Sequence, residues 1–387
     1  MIVLDAAAVP DFFSGARTRL RGLIGAYGRL QEAPPLVVRI GRGATLLDGV
    51  ELGHVRVEEV PRPGGPLRRV LTPRLRTAPD GPLVRAAKLW HSEAIPPLQP
   101  RGVPAMLTIH DLRWSESRSA TGAPWAQWFP RHVAATLWLP SLARALAGVV
   151  TVSSASARRI RERLRVPAER VHVIPNAVDV DPAPRLAATD ESALLDRLGV
   201  ASRPFLLAVG HLEPRKGIEL VLAALARTPS HGALARAALV LVGAGRGESA
   251  LRARVAALGI ADRVVFAGSL DERSTSSLYA RAAALVFPSR YEGFGFPIHE
   301  ARALGCPVVA RRLEVLAELA EPAGAGDSGV TFLADEADAW VDKLNACVDV
   351  ERPPRSVPAK RGATWDEAAR RLAELYRSTR SSGAPPR

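Results

Sequence analysis

The chain has 387 residues, 47% of them hydrophobic, with a formal net charge of +13 and two cysteines. That length exceeds the usual size of a single core, so two domains are expected. Two cysteines, Cys306 and Cys347, exclude a disulfide framework or a thiolate metal cluster, and they suit a reducing compartment. The N-terminus "MIVLDAAAVPDFF" carries Asp5 and Asp11 and no basic region, so it does not read as a signal peptide. No stretch reaches the roughly 20 apolar residues of a membrane span. The best candidate, "AATLWLPSLARALAGVV", is interrupted by Pro140 and Arg144, so the chain reads as cytoplasmic.

In chain order, short apolar runs alternate with helical patterns, as in a parallel α/β sheet. "IVL" is followed by a loop and the helical "ARTRLRGLIGAYGRL", and further apolar runs are "PLVVRI", "PAMLTIH" and "GVVTVS". The spacing then predicts a helix over 154–165, N-capped by Ser153 or Ser154, followed by "RVHVIPNAVDV". "DPAPRLAATDE" has the composition of a linker. A second series starts at "PFLLAVG", continues with "AALVLVG", "RVVFAG", "ALVFPS" and "PVVAR", and places helices over 217–227, 248–258, 274–282 and 297–304. The C-terminal "TWDEAARRLAELYRSTR" is amphipathic. The expected organisation is a Rossmann-like domain over 1–180, a second over 181–365, and a helix and tail over 366–387 that packs back toward the first domain. Both domains are doubly wound and face a central cleft, and loops that follow strands are where ligands should bind.

Charge is uneven along the chain. Residues 1–180 hold 25 basic against 14 acidic side chains, a net of +11; residues 181–387 hold 27 against 25, a net of +2. This asymmetry favours an anionic partner, such as a phosphorylated acceptor or an acidic membrane surface. The scarcity of lysine (only Lys88, Lys216, Lys343 and Lys360) fits the plainer reading that an Arg-rich composition decorates surfaces.

The most informative stretch is "SRYEGFGFPIHEARALGCPVVA", residues 289–310. Its loop follows a buried run and leads into a helix, with Pro297 in the first turn and Gly305 at the end. Free N–H groups at a helix start favour an anion. Glu300 could accept hydrogen bonds from a vicinal diol such as a ribose, and Glu292 could do the same for sugar hydroxyls. The plain alternative is a capped helix with solvated acids.

This string resembles the E-x7-E signature of retaining GT-B glycosyltransferases of family 4, whose usual form runs EGFGLPxLEAMAxGxPVV. "VGHLEPRKGIELVLAAL" is similar to the family's donor-gripping strand, loop and helix. "TIHDL", "VTVSSASARRI" and "VIPNAVDV" are similar to its N-terminal segments. The likeness is strong from about residue 100 onward and weak over 1–30, and nothing matches between about 42 and 100. The resemblance implies that Glu300 holds the nucleotide ribose and Glu292 the donor sugar, with backbone amides of Phe294, Gly295 and Phe296 on sugar hydroxyls or phosphate. It implies that Arg215 and Lys216 neutralise the departing diphosphate, and that His110, in "IHD", lies at the catalytic centre. In the first loop "FFSGARTRL" departs from the family's glycine pattern: Gly15 is kept, Ala16 stands beside it, and Arg17 could contact phosphate or acceptor directly. Trp125 and Trp128, among Pro, Gly and Ser, are candidates for an acceptor site or a membrane interface.

Two lookalikes are set aside. "VGAGRGE" has glycines at 243, 245 and 247, which is not G-x-G-x-x-G, and "DVD" at 179–181 imitates a metal-binding DxD within the linker. The implied activity is retaining transfer of a sugar from a nucleotide-diphosphate sugar to an acceptor hydroxyl, with no metal and no cofactor. GDP-mannose is the first donor choice, with UDP-sugars open; the acceptor is a glycan, a lipid-linked saccharide or a small molecule, and no nucleic-acid partner is expected. The rivals are a catalytically degenerate scaffold and a GT-B sugar-nucleotide epimerase.

Overall fold

A computed structural model describes residues 1–11, 14–62, 81–95, 100, 102–178, 185–229, 232–317, 329–349 and 363–381. The chain divides into two units. The first comprises Met1–Ser117, Pro124–Asp179 and Gly362–Arg387, and the second Arg118–Ala123 and Val180–Arg361. The "DVD" tripeptide at 179–181 lies outside the described residues.

The first unit is built on a seven-stranded sheet: β1 (Ile2–Asp5), β2 (Leu36–Gly41), β3 (Arg56–Val60), β4 (Leu89–Ser92), β5 (Ala105–Thr108), β6 (Gly148–Thr151) and β7 (Val171–Val173). Their order across the sheet is β3-β2-β1-β4-β5-β6-β7, and every pairing is parallel. β1, β2, β4, β5 and β6 are buried along their whole length, as parallel strands covered on both faces must be. β3 and β4 fall in the stretch, about 42–100, where no family motif is recognised in the sequence.

The helix Gly15–Gly28 follows β1 and is capped by Ser14, whose side chain accepts from the Arg17 N–H. The C-terminal helix Trp365–Ser381 packs against it. A Cβ on Gly22 would lie 2.2 Å from the Trp365 ring, so the glycine is what lets the indole seat against the first helix. Trp365, Leu372, Ala373 and Tyr376 are buried there.

The second unit has a six-stranded sheet: β8 (Phe205–Val209), β9 (Ala238–Val242), β10 (Val264–Gly268), β11 (Ala284–Phe287), β12 (Val308–Arg311) and β13 (Val330–Leu333). The order is β10-β9-β8-β11-β12-β13, again parallel throughout. Strand residues Leu206, Leu239, Leu241, Val286 and Val309 interlock with Val221, Leu222, Leu225 and Trp340 from the flanking helices. The linker-like composition of 181–191 proved partly misleading: a helix runs over Ala188–Arg197, with Asp190 and Glu191 in its first turn, where acids favour helix initiation.

Both sheets change direction of winding once, between β1 and β4 and between β8 and β11. Loops leaving the carboxyl ends of those strands border a natural crevice, because consecutive connections depart to opposite sides. Among the described residues no helix is long and apolar enough to cross a membrane.

Candidate functional site

In the second unit the loop after β8 carries Glu213, Arg215 and Lys216, and the loop after β11 carries Arg290, Tyr291 and Glu292. These are the two strand ends of the switch point. Pro214–Lys216 forms one turn of 3-10 helix, closed by Gly217 at φ +64°. A Cβ at Gly217 would lie 2.3 Å from the Pro288 carbonyl oxygen, so glycine is required both by conformation and by the neighbouring loop. The Arg290 N–H donates to the Arg215 carbonyl at 2.8 Å, tying the loops together.

The side chains then converge. Lys216 Nζ donates to Glu292 Oε1 at 2.7 Å and Arg215 Nη1 to the same oxygen at 3.1 Å. Arg215 Nε also donates to Glu213 Oε2 at 2.9 Å, and its Nη1 to the Tyr291 carbonyl at 3.3 Å. Lys216 and Glu292 keep only 11% and 10% of their side-chain surface exposed. Burial alone would raise the Glu292 pKa, but the charges of Lys216 and Arg215 outweigh it and hold the carboxyl at about 2. Burial still pulls Lys216 below its ordinary value despite Glu292. The pair therefore favours the carboxylate more than the ammonium, since two cations converge on Glu292 while burial and Arg215 disfavour the charge on Lys216. A small cavity lined by Gly210, His211, Lys216, Phe287 and Ser289 opens beside this cluster.

Glu300 lies in the helix Phe296–Ala303, which begins after Gly295 and has Pro297 in its first turn. Tyr279 Oη donates to Glu300 Oε2 at 2.8 Å. Burial raises the Glu300 pKa, and Glu272 adds to the rise. Phe294 stacks on His299 with ring centroids 4.1 Å apart and an interplanar angle of 3°, which fixes the loop over the helix start. Burial, followed by the charge of Arg302, lowers His299 to about 4. The glycines of "VGAGRGE" have a structural use: a Cβ at Gly245 would come within 2.6 Å of the Leu212 carbonyl, so this turn presses on the loop that leads to Arg215.

In the first unit His110 follows β5, and its Nε2 lies 3.5 Å from Glu93 Oε2, within ion-pair reach. Glu93 follows β4 and is fully buried. Thr108 Oγ1 donates to Glu93 Oε1 at 3.0 Å. A hydroxyl has one proton, so Thr108 must accept from His91 Nε2, 2.9 Å away. A neutral His91 then accepts at Nδ1 from Tyr376 Oη, at 2.7 Å. One directed chain thus runs from the C-terminal helix through His91 and Thr108 to the carboxylate that faces His110. Burial lowers His91 to about 4, which keeps it neutral. Burial opposes the Glu93 charge, yet the neighbouring His110 and the Arg19 charge prevail and hold it at about 2. Arg19, itself fully buried on the helix Gly15–Gly28, donates through Nη1 to the Ile174 carbonyl and to Asn176 Oδ1, each at 2.9 Å.

The structure therefore brings Arg215, Lys216 and Glu292 into contact and sets Phe294, Gly295, Phe296 and Glu300 at the adjoining helix start. Gly15, Ala16 and Arg17 form the first turn after β1, with the Arg17 guanidinium donating to the Thr45 carbonyl at 3.4 Å. Trp128 donates through Nε1 to the Glu116 carbonyl at 3.0 Å, whereas Trp125 is exposed. Sequence reasoning missed Glu93, His91, Tyr376, Arg19 and Tyr279. The one available signal was a charged residue ending an apolar run, in "LWHSE".

Comparisons with known proteins agree with this fold. Residues 196–370 match the model of glycosyl transferases group 1, and residues 36–182 that of Glycosyltransferase Family 4. The chain is 28% identical to the alpha-D-kanosaminyltransferase of Streptomyces kanamyceticus over 253 residues, covering 63% of this chain and 61% of that protein. It is 33% identical to the MMP alpha-(1->4)-mannosyltransferase of Mycolicibacterium hassiacum over 184 residues, covering 47% and 41%. A D-inositol 3-phosphate glycosyltransferase of Catenulispora acidiphila is 28% identical over 378 residues, covering 90% and 84%. Apart from the last, these matches span about half of the relatives' length. HepE of Anabaena, solved with UDP and glucose, superposes with a TM-score of 0.64 at 21% identity over 98% of this chain and 97% of its own. Sucrose-phosphate synthase of Thermosynechococcus elongatus gives 0.66 at 18% identity over 99% of both chains. Two doubly wound parallel sheets, each covered by its own glycosyltransferase model, place the chain in the GT-B glycosyltransferases, with a family 4 N-terminal half and a group 1 C-terminal half.

Proposed function

We propose that this chain moves a glycosyl group from a nucleotide-diphosphate sugar to an acceptor hydroxyl. The observation that carries the reading is the pair of cations, Arg215 and Lys216, held on one carboxylate at the switch point and next to a helix N-terminus. Such a site suits a diphosphate: fixed positive charge and free N–H groups meet the negative charge that grows as the leaving group departs. Binding of the diphosphate would replace Glu292 as counter-ion and leave its carboxylate for a sugar hydroxyl. Glu300 is assigned to the ribose diol, with Phe294, Gly295 and Phe296 offering backbone amides.

In the transfer step the anomeric C–O bond to the diphosphate breaks and a bond from the acceptor oxygen to the same carbon forms. The acceptor proton passes to a departing phosphate oxygen, giving a nucleoside diphosphate and a glycoside. Attack from the face that the diphosphate leaves gives retention. The two cations supply the charge stabilisation, so the step calls for neither a metal nor a cofactor. His110, with Glu93 behind it, is assigned a catalytic role. Mannosyltransferases among the relatives support mannose, carried by GDP, as the first donor, and HepE supports UDP-glucose as the alternative. The acceptor class is a glycan, a lipid-linked saccharide or a small molecule.

The test is thermal-shift binding to a panel of GDP- and UDP-sugars, with the wild type beside Glu300→Ala and Lys216→Ala. Stabilisation by one nucleotide class, lost in both variants, followed by transfer to acceptor, is expected. No shift from any nucleotide would overturn the reading and favour a scaffold that has lost its ligand; turnover of donor without acceptor would favour epimerisation or hydrolysis.

A further inference from the structure

Six large hydrophobic side chains are exposed among the described residues, and four of them fall within thirteen positions: Trp125 at 60%, Phe129 at 49%, Val133 at 37% and Leu137 at 74%. They are spaced by four, so they follow one ridge of the continuous helical stretch formed by Trp125–Val133, Ala134–Trp138 and Leu139–Ala145. A ridge of this spacing creeps round an α-helix. The wider i→i+5 turn over Ala134–Trp138 counters that creep and keeps Leu137 in line. Trp125 stacks on Phe129 with centroids 5.2 Å apart, which makes one aromatic plate on the exposed side. Trp128 and His132 are tied inward instead, through the Glu116 and Trp114 carbonyls.

The sequence of the ridge itself carries charge of one sign, and the nearby Glu116, whose carbonyl accepts from Trp128, is paired to Arg163. From Ser117 to Arg161 there is no Asp or Glu, while Arg118, Arg131, Arg144, Arg158, Arg159 and Arg161 all lie in that interval. Arg144, in the same unit as the ridge, is exposed on its C-terminal side.

We infer that this ridge is a docking surface for an anionic lipid bilayer, with Trp125, Phe129 and Leu137 entering the headgroup region and Arg144 facing lipid phosphates. Helices with a bulky apolar face, a basic flank and no acids bind in the plane of a membrane interface, and Trp is the side chain that region favours. A second copy of this chain fits the ridge poorly. A two-fold contact would set a ridge with no acid of its own and a basic flank against itself, and four side chains fall far short of the roughly 800 Å² per partner of a stable interface.

The test is co-sedimentation of the full chain with large vesicles of phosphatidylcholine alone or with about one quarter phosphatidylglycerol, at about 50 mM and about 500 mM NaCl. The wild type is expected to sediment with anionic vesicles at low salt, to shift its tryptophan emission to the blue, and to release at high salt. Trp125→Ser/Leu137→Ser should bind at least about tenfold less, while its melting temperature and nucleotide binding stay unchanged, since both side chains are mostly in solvent. Arg144→Ala should weaken binding without removing the blue shift at high protein concentration. The inference is overturned if the wild type ignores anionic vesicles, if it binds neutral vesicles equally well, or if the Trp125/Leu137 variant binds undiminished. It is also overturned if light scattering shows a dimer that this variant dissolves, which would give the ridge to a second copy. None of these readouts depends on transferase activity.

Discussion

Replacing Glu292 by Gln tests the charge cluster directly. The substitution keeps the shape but removes the carboxylate that Arg215 and Lys216 share, leaving Glu213 on Arg215 to balance both cations, at a site where Lys216 and Glu292 are about nine-tenths buried. The carboxyl sits at about 2 against an ordinary 4.5, a difference of about 2.5 units or about 3 kcal/mol of stability from its charged form. Burial of Lys216 offsets part of this, because the same cluster leaves the ammonium disfavoured. The expected loss is therefore about 2–3 kcal/mol, below the range for breaking a wholly buried pair. For a domain of 150–250 residues that lowers the melting temperature by roughly 5–10 °C. Since Glu292 folded as a carboxylate has a depressed pKa, its contribution is complete above pH 4.5 and disappears as pH falls toward 2. Added nucleoside diphosphate should then stabilise Glu292→Gln more than the wild type, since no internal counter-ion has to be displaced, while transfer activity falls. Lys216→Met/Glu292→Gln should be less destabilised than Glu292→Gln alone, because the excess cation is gone. Differential scanning fluorimetry with and without nucleotide reads all of these. Equal melting temperatures, or an equal nucleotide increment in variant and wild type, would refute the counter-ion account.

Three further outcomes are expected. Glu93→Gln should lower transfer by about 10–100-fold through kcat, the usual range for a group that orients a functional side chain, with nucleotide binding within about twofold of wild type; full activity would show that Glu93 does not orient His110. Gly217→Ala should abolish nucleotide binding and lower the melting temperature, because a left-handed residue acquires a Cβ 2.3 Å from the Pro288 oxygen; an unchanged thermal shift would count against the rigidity of the Arg215–Lys216 turn. His91 is buried as a neutral base at about 4 against 6.5, so the unfolded chain binds the proton first and stability falls between pH 6.5 and 4, by about 3 kcal/mol. Denaturant titrations over that window should show the slope, reduced in His91→Gln, and an equal slope in both proteins would exclude His91 as its source.

What the sequence made legible, and what it hid, separates along a physical line. The second unit's site is assembled from neighbours in two loops, each of which follows an apolar run and precedes a helix. Its residues are signalled by local constraints: Gly217 for a left-handed turn, Pro297 in a first helical turn, Gly305 at φ +69° past the helix end. Such constraints act within a few residues and leave their mark on spacing. The first unit's carboxylate–imidazole chain is different. Tyr376 reaches His91 from 285 positions away, and Arg19 reaches Asn176 across 157. Each of those residues occupies a position whose helical or strand periodicity calls for a hydrophobe, so a pattern reading counts it as core. Polar side chains become legible only when the partners that satisfy them are known, and here the partners come from opposite ends of the chain. The helix Ala188–Arg197 follows the same logic in reverse: its proline-containing approach looks like linker, and the burial of Leu194 and Leu195 adds to the first-turn acids Asp190 and Glu191 the reason for it to form. The C-terminal helix, legible as amphipathic, is thus more than a cap on the first unit. The acceptor-only Glu93 carboxylate sets the direction of the chain through Thr108 to His91, and Tyr376 completes it from the C-terminal helix by donating to the remaining His91 nitrogen.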